Sequence, residues 1–187
     1  IGGVEGPVIG RFQAGFEKGV ADAGKKLGKD IQITSTYAGT FADASKGRAL
    51  ASSMYQAGAD IIYHAAATTG QGIFQEAKAL NETGSKDKVW VIGVDRDQNE
   101  DGKYTTKDGK DDNLTLASTI KGVNIAVKKI SDLALEDKFP GGEHLTYGLK
   151  DGGVDLTTEA LSDQAKTAVK EAKEQIISGD VKVPDQP

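Results

Sequence analysis

There is no cysteine in the sequence, which excludes disulfides, thiolate metal centres and cysteine nucleophiles while fitting either redox compartment. Histidine is nearly absent too: His64 and His144 are the only two, and they lack the close helical spacing that holds zinc. No serine sits in a G-x-S-x-G elbow, and no two carboxylates have a spacing that compels acid–base roles. The residues therefore offer no catalytic constellation, no zinc or thiolate metal centre and no cofactor fingerprint. Positive charge is not in excess, since 23 basic residues are dispersed among 28 acidic ones for a net charge of −5. That balance argues against nucleic acid as a partner and serves solubility. Nor is there an apolar run of the roughly 18 residues that a membrane helix needs.

What the sequence does have is alternation of strand-like and helix-like segments. The most informative is Val89-Trp90-Val91-Ile92-Gly93-Val94-Asp95. Apolar residues without polar alternation mark a strand covered on both faces, the centre of a parallel sheet. It stops at a carboxylate. In open α/β sheets ligands bind at the carboxyl ends of the strands, so Asp95 either meets a small molecule or merely caps a turn; this stretch alone leaves both open. Trp90, the only tryptophan, lies on the same strand close to Asp95 and is expected to give a usable fluorescence baseline.

The segments around this strand fall into order. Ile1-Gly2-Gly3 reads as the end of a strand followed by its loop, with no initiator methionine, and the expectation is a piece of a longer chain. Gly3-Val4-Glu5-Gly6-Pro7 matches neither the dinucleotide fingerprint nor a P-loop and reads as a plain turn, with Pro7 in the first turn of a helix. Val8, Phe12, Phe16 and Val20 place that helix over Val8 to Leu27, and Gly28 ends it. A half-exposed strand near the sheet edge is expected over Ile31 to Tyr37, a helix over Ala42 to Ala57 with Leu50 and Met54 inward, and a buried strand over Ile61 to His64. The small residues from Ala65 to Gly72 let a ligand approach the backbone, and a helix over Gly70 to Leu80 leads to the central strand. Both histidines read as ordinary polar residues.

Arg96 to Asn113 is the most polar stretch. Asp97, Asn99, Asp101, Gly102 and Asp108 fall at positions one, three, five, six and twelve of a calcium loop. However, Asp stands where the bidentate Glu belongs, and no helix leads in, so a solvated acidic excursion built on turn chemistry is favoured. A strand over Leu114 to Thr119, with Lys121 just past it, precedes a helix over Lys121 to Leu135 that carries Val123, Val127, Ile130 and Leu133. Phe139-Pro140-Gly141-Gly142 breaks it. A strand over Glu143 to Leu149, a turn at Lys150 to Gly153, a helix over Asp163 to Ser178 and a frayed tail from Val181 complete the chain. Repeated βαβ units imply a doubly wound, mainly parallel α/β sheet.

The motifs Gly2-Gly3-Val4-Glu5-Gly6-Pro7-Val8-Ile9, Gly58-Ala59-Asp60-Ile61-Ile62-Tyr63, Thr69-Gly70-Gln71-Gly72-Ile73-Phe74, Ile92-Gly93-Val94-Asp95-x-Asp97-Gln98 and Tyr147-Gly148-Leu149-Lys150-x-Gly152-Gly153-Val154 occur in this order over nearly the whole chain. In them the chain resembles the basic membrane protein family of ABC-transporter substrate-binding lipoproteins, whose best-understood members are purine nucleoside receptors. The resemblance implies a type I periplasmic-binding-protein lobe, a Rossmann-like three-layer sandwich, in a protein whose two lobes close on ligand. It implies a second ligand-binding lobe over 1–118, a hinge and crossing helix over 119–142 that packs on a first lobe, and a return strand and C-terminal helix over 143–187. Helix 121 to 135 would then show its apolar stripe to solvent or to a partner chain.

The resemblance also implies a function: extracellular capture of a nucleoside, purine favoured, for an ABC importer, with no chemistry on the ligand and no cofactor. The partners would be the nucleoside and the transporter permease. Location would be the outer face of a bacterial plasma membrane, reached only through a lipid anchor upstream of this chain. Carried over by position, Tyr63 would set a ring against the purine, Asp95 would grip ribose hydroxyls, Lys121 would reach the same sugar from the hinge, and Ala65 would bring backbone close to the ligand. Two other readings remain: a Rossmann-like enzyme acting on a nucleoside or sugar phosphate, and a sugar-sensing regulator of the same two-lobe architecture.

Overall fold

The computed structural model describes residues 1–84 and 87–187. Helix α1 (Pro7–Leu27) starts with Pro7 at its first position and ends where Gly28 turns left-handed at φ 63°, the conformation glycine adopts at least cost. Then come α2 (Ala44–Gln56), β1 (Ile61–Tyr63), α3 (Thr69–Thr83), β2 (Trp90–Asp95), β3 (Lys103–Thr105), β4 (Asp111–Asn113), β5 (Thr115–Lys121), α4 (Val123–Leu135), β6 (Val154–Leu156) and α5 (Asp163–Ser178). The main sheet has the order β1-β2-β5-β6. β2 lies in the middle with parallel neighbours on both sides, and β6 closes the far edge antiparallel to β5.

On the other edge the chain's opening residues extend the sheet. Gly2 bridges Ala65 on one side and Tyr37 on the other, both in parallel. Ala65 N–H donates to Ile1 O at 2.9 Å, and Gly3 N–H donates to Ala65 O at 2.9 Å. Residues 29–36 form no ladder, contrary to the expected strand over Ile31 to Tyr37. The alternation is present, but among the described residues only the end of this segment joins the sheet: Gly2 N–H donates to Thr36 O and Ala38 N–H to Gly2 O, each at 2.8 Å, whereas Ser35 Oγ turns to Glu17 at 2.9 Å.

The core is concentrated on one face. Ala51, Tyr55, Ile62, Ile73, Phe74, Ala77, Val89, Val91 and Leu114 pack together between α2, α3 and the sheet. The two helices approach so closely at Gly72 that a Cβ there would run into the backbone of Ala44 and Arg48. Because Ile62 points into this core, Tyr63 points to the opposite face. There Phe16 of α1 stacks on its ring, centroids 5.1 Å apart. Helices α4 and α5 bury no residue fully, and Val123, Val127 and Leu135 are 57%, 60% and 85% exposed.

No strand forms over Glu143 to Leu149, contrary to the expectation from the sequence. These residues form coil and a single 3-10 turn (Leu149–Asp151), and the return strand is β6, Val154–Leu156. Leu145, Tyr147 and Leu149 have strand periodicity, but the free edge of β5 runs only from Thr119 to Lys121 and meets the chain after Gly152 (φ 73°) turns it. The acidic excursion folds as a 3-10 turn over Glu100–Gly102 followed by the β3–β4 hairpin. Asp101 there receives Arg96 at 2.7 Å and Gln98 at 2.9 Å, and Asp97 accepts the Asn99 N–H. Asp108 lies in the hairpin turn, where it is held apart from the other acids by the intervening strand.

Candidate functional site

Three parallel strands end side by side: β1 at Tyr63, β2 at Asp95 and β5 at Lys121. Parallel strands put their carboxyl ends on one edge, so the sequence alone dictates that these three residues share it. Lys121 Nζ stands 2.6 Å from Asp95 Oδ1, with both side chains about half exposed (49% and 46%). The same ammonium lies 5.8 Å from the centroid of the Phe12 ring. A charged pair standing in partial contact with water, backed by an aromatic ring, can receive hydroxyl groups on both its donor and its acceptor side.

Asp95 is held in an unusual backbone. Its φ is 70°, and Arg96 N–H closes back on Val94 O at 2.8 Å. An i to i+2 hydrogen bond around a residue of positive φ is the rare, strained γ-turn. For a residue other than glycine such strain costs on the order of 1–3 kcal/mol and gathers at functional sites. The turn swings the carboxylate off the strand line toward β5.

Tyr63 is half-buried. Its hydroxyl meets Thr119 Oγ1 at 3.3 Å and one side of its ring rests on Phe16. Burial raises its pKa to about 12 against the hydrogen bond with Thr119, and the charge of Asp95 adds to the rise, so the phenol is neutral at physiological pH. Ala65 is 7% exposed and its N–H and C=O are committed to Ile1 and Gly3. Asp95 and Lys121 thus touch, Tyr63 bonds Thr119 across the same sheet face, and Ala65, two residues beyond Tyr63, is paired with Gly2 of the opening segment.

Phe12, Phe16 and Thr119 were not singled out from the sequence. The first two belong to the apolar stripe of α1, and the structure sets them against Lys121 and Tyr63. Thr119 could have been found, since it lies two residues before Lys121 and therefore on the same strand face. Trp90 does not lie near Asp95. It begins the strand that Asp95 ends, about 16 Å away at 3.3 Å per residue, under the Lys88 ammonium 4.0 Å from its ring. A cleft of about 560 Å³ at the β3–β4 hairpin, lined by Lys103, Tyr104 and Asp112 among others, is at that amino edge and contains none of the four residues. Among the described residues no three His, Asp or Glu side chains gather as a metal-holding group.

A family model, Bmp, described as ABC transporter substrate-binding protein PnrA-like, matches residues 1–187. The chain belongs to this family. Among its Bmp relatives is the ABC transporter nucleoside-binding protein BmpA of Lactococcus lactis, 48% identical over 187 residues, all of this chain and 52% of the relative. Another is Basic membrane protein A of Borreliella afzelii, 34% identical over 98% of this chain and 52% of its own length. A solute-binding protein of an ABC transporter system from Aeropyrum pernix superposes with a TM-score of 0.81 at 26% identity, over 98% of this chain and 57% of that one. The fold is the expected periplasmic-binding-protein-like α/β architecture, and the chain spans about half the length of the curated relatives it matches.

Proposed function

We propose that the protein is the binding component that captures a nucleoside, a purine nucleoside in first place, for an ABC importer, and performs no chemistry on it. The observation that carries this reading is the half-exposed Asp95–Lys121 pair at the ends of adjacent parallel strands, with Asp95 in a strained turn. In the bound state the carboxylate accepts from sugar hydroxyls and the ammonium donates to them, and charge-assisted bonds of this kind contribute about 1.5–3 kcal/mol each. Tyr63 offers the remaining surface of its ring to the base. Ala65 contributes shape alone, because its backbone groups are occupied within the sheet. Support for a nucleoside comes from the 48% identical Lactococcus lactis relative, which is named a nucleoside-binding protein.

In this reading residues 1–118 form one ligand-binding lobe, 119–142 a hinge and crossing helix, and 143–187 the return to the sheet. An open edge covers only one side of a ligand, whereas small-molecule sites bury most of it. A second wall is therefore part of the proposal, and the exposed stripe of Val123, Val127 and Leu135 on α4 packs against it. The transporter permease as partner and a lipid-anchored position on the outer face of the bacterial membrane belong to the same proposal.

Calorimetric titration of the complete gene product with inosine, guanosine, adenosine and ribose, followed by chromatography of the recovered ligand, tests it. Saturable binding of a purine nucleoside that is recovered unchanged is the expected result. Recovery of free base and sugar would favour an enzyme, and binding of sugar alone would favour a sugar-sensing regulator.

A further inference from the structure

Gln98 is 5% exposed, and each of its polar groups is engaged. Its N–H donates to Ser118 Oγ at 3.0 Å, and its C=O accepts from Thr115 Oγ1 and from Asp101 N–H, each at 3.0 Å. Its side-chain Oε1 accepts the Val94 N–H at 2.8 Å and meets His64 Nε2 at 3.0 Å. Its Nε2 donates to Asp101 Oδ2 at 2.9 Å, the same oxygen that receives Arg96 Nη2 at 2.7 Å.

The pattern has a geometric meaning. In a continued parallel ladder the Val94 N–H would go to the next carbonyl of β1; it goes to the Gln98 carboxamide instead. The side chain has room to fold back there because Gly93 lacks a Cβ, which would stand 2.7 Å from Gln98 Oε1. His64 is the donor in its contact, since a carboxamide oxygen only accepts. Residue 94 on one side of Asp95 and residue 96 on the other thus both terminate on the Gln98–Asp101 pair, and the residue between them carries φ 70°.

We propose that Gln98 is a positioning residue for ligand capture: its carboxamide, together with Asp101, clamps both flanks of Asp95 and holds the carboxylate aimed at Lys121 before the ligand arrives. This rests on Asp95 as the sugar-binding carboxylate. A carboxylate set in advance loses less freedom on binding, and that saving appears as affinity. Removing the clamp lets the γ-turn relax, so that ligand must restore it.

The test is a double-mutant cycle in the complete gene product, read by calorimetric affinity for inosine in the parent, Asp95→Ala, Gln98→Leu and the double variant, each first shown to be folded by circular dichroism. Gln98→Leu is expected to weaken inosine binding about tenfold when Asp95 is present and less than about twofold in the Asp95→Ala background, because it acts only through Asp95. An equal loss in both backgrounds would make Gln98 a general support of the fold and overturn the proposal, as would an unchanged affinity in Gln98→Leu beside a weakened Asp95→Ala. Unchanged affinity in Asp95→Ala itself would remove the sugar-binding reading instead. If Gln98→Leu does not fold, Gln98→Asn, whose carboxamide is too short to reach Val94 N–H, goes through the same cycle. Failure of both to fold would assign Gln98 to stability and overturn the proposal.

Discussion

Lys121 reaches Asp95 at 2.6 Å although the residue paired with Asp95 in the ladder is Ile120; the γ-turn at Asp95 supplies the sideways displacement. With both side chains about half exposed, such a pair contributes at most about 1 kcal/mol to folding. Lys121→Met should therefore shift the free energy of unfolding in urea by less than about 1 kcal/mol, while inosine affinity falls by about tenfold or more. A large loss of stability with unchanged affinity would make the pair a structural one.

Gly72 faces the α2 backbone, and a Cβ there would collide with Ala44 and Arg48. Backbone cannot swing aside as a flexible side chain can, so Gly72→Ala must push α2 and α3 apart across the main core. Overpacking of this kind costs about 1–3 kcal/mol, less the few tenths to 1 kcal/mol that alanine returns inside a helix. Urea denaturation should show a lower midpoint with an unchanged slope.

His64 is buried, with Nδ1 unpartnered. Burial pushes its pKa from 6.5 down to about 4, opposed in part by Gln98. The unfolded chain therefore takes up a proton near pH 6.5 that the folded protein refuses until about pH 4, and acidification through that window favours unfolding. By pH 5 the contribution amounts to about 2 kcal/mol. His64→Gln keeps a donor toward Gln98 and does not titrate, so its stability should fall less than the parent's between pH 7 and pH 5. Parallel pH dependence in the two proteins would contradict this.

Much of this was written locally in the sequence. α5 begins after Ser162, whose side chain accepts the Ala165 N–H, and ends at the left-handed Gly179; both signals lie within a few residues, and the limits Asp163–Ser178 follow from them. Asp95 was legible because an uninterrupted apolar strand stops there, and its edge partners followed from the order of parallel strands. What failed depended on distant neighbours. Residues 31–36 and 143–148 alternate like strands, but a strand forms only where another edge is free to pair with it. The Gln98 clamp was hidden for the same reason, because two of the groups that fix Gln98 itself, His64 and Ser118, come from the neighbouring strands. Asp101 looked like a calcium ligand by spacing, yet Arg96 and Gln98 occupy its carboxylate.

The most direct test of the nucleoside-binding account is the calorimetric affinity of the complete gene product for inosine with Asp95 intact and in Asp95→Ala, with Asp95→Asn as the control that tolerates the positive φ. Removing the carboxylate should leave a sugar hydroxyl without its charged partner and cost about 2–3 kcal/mol, a loss of roughly 30- to 150-fold in Kd, with Asp95→Asn weakened in the same direction. Equal inosine affinity in parent and Asp95→Ala would contradict the account.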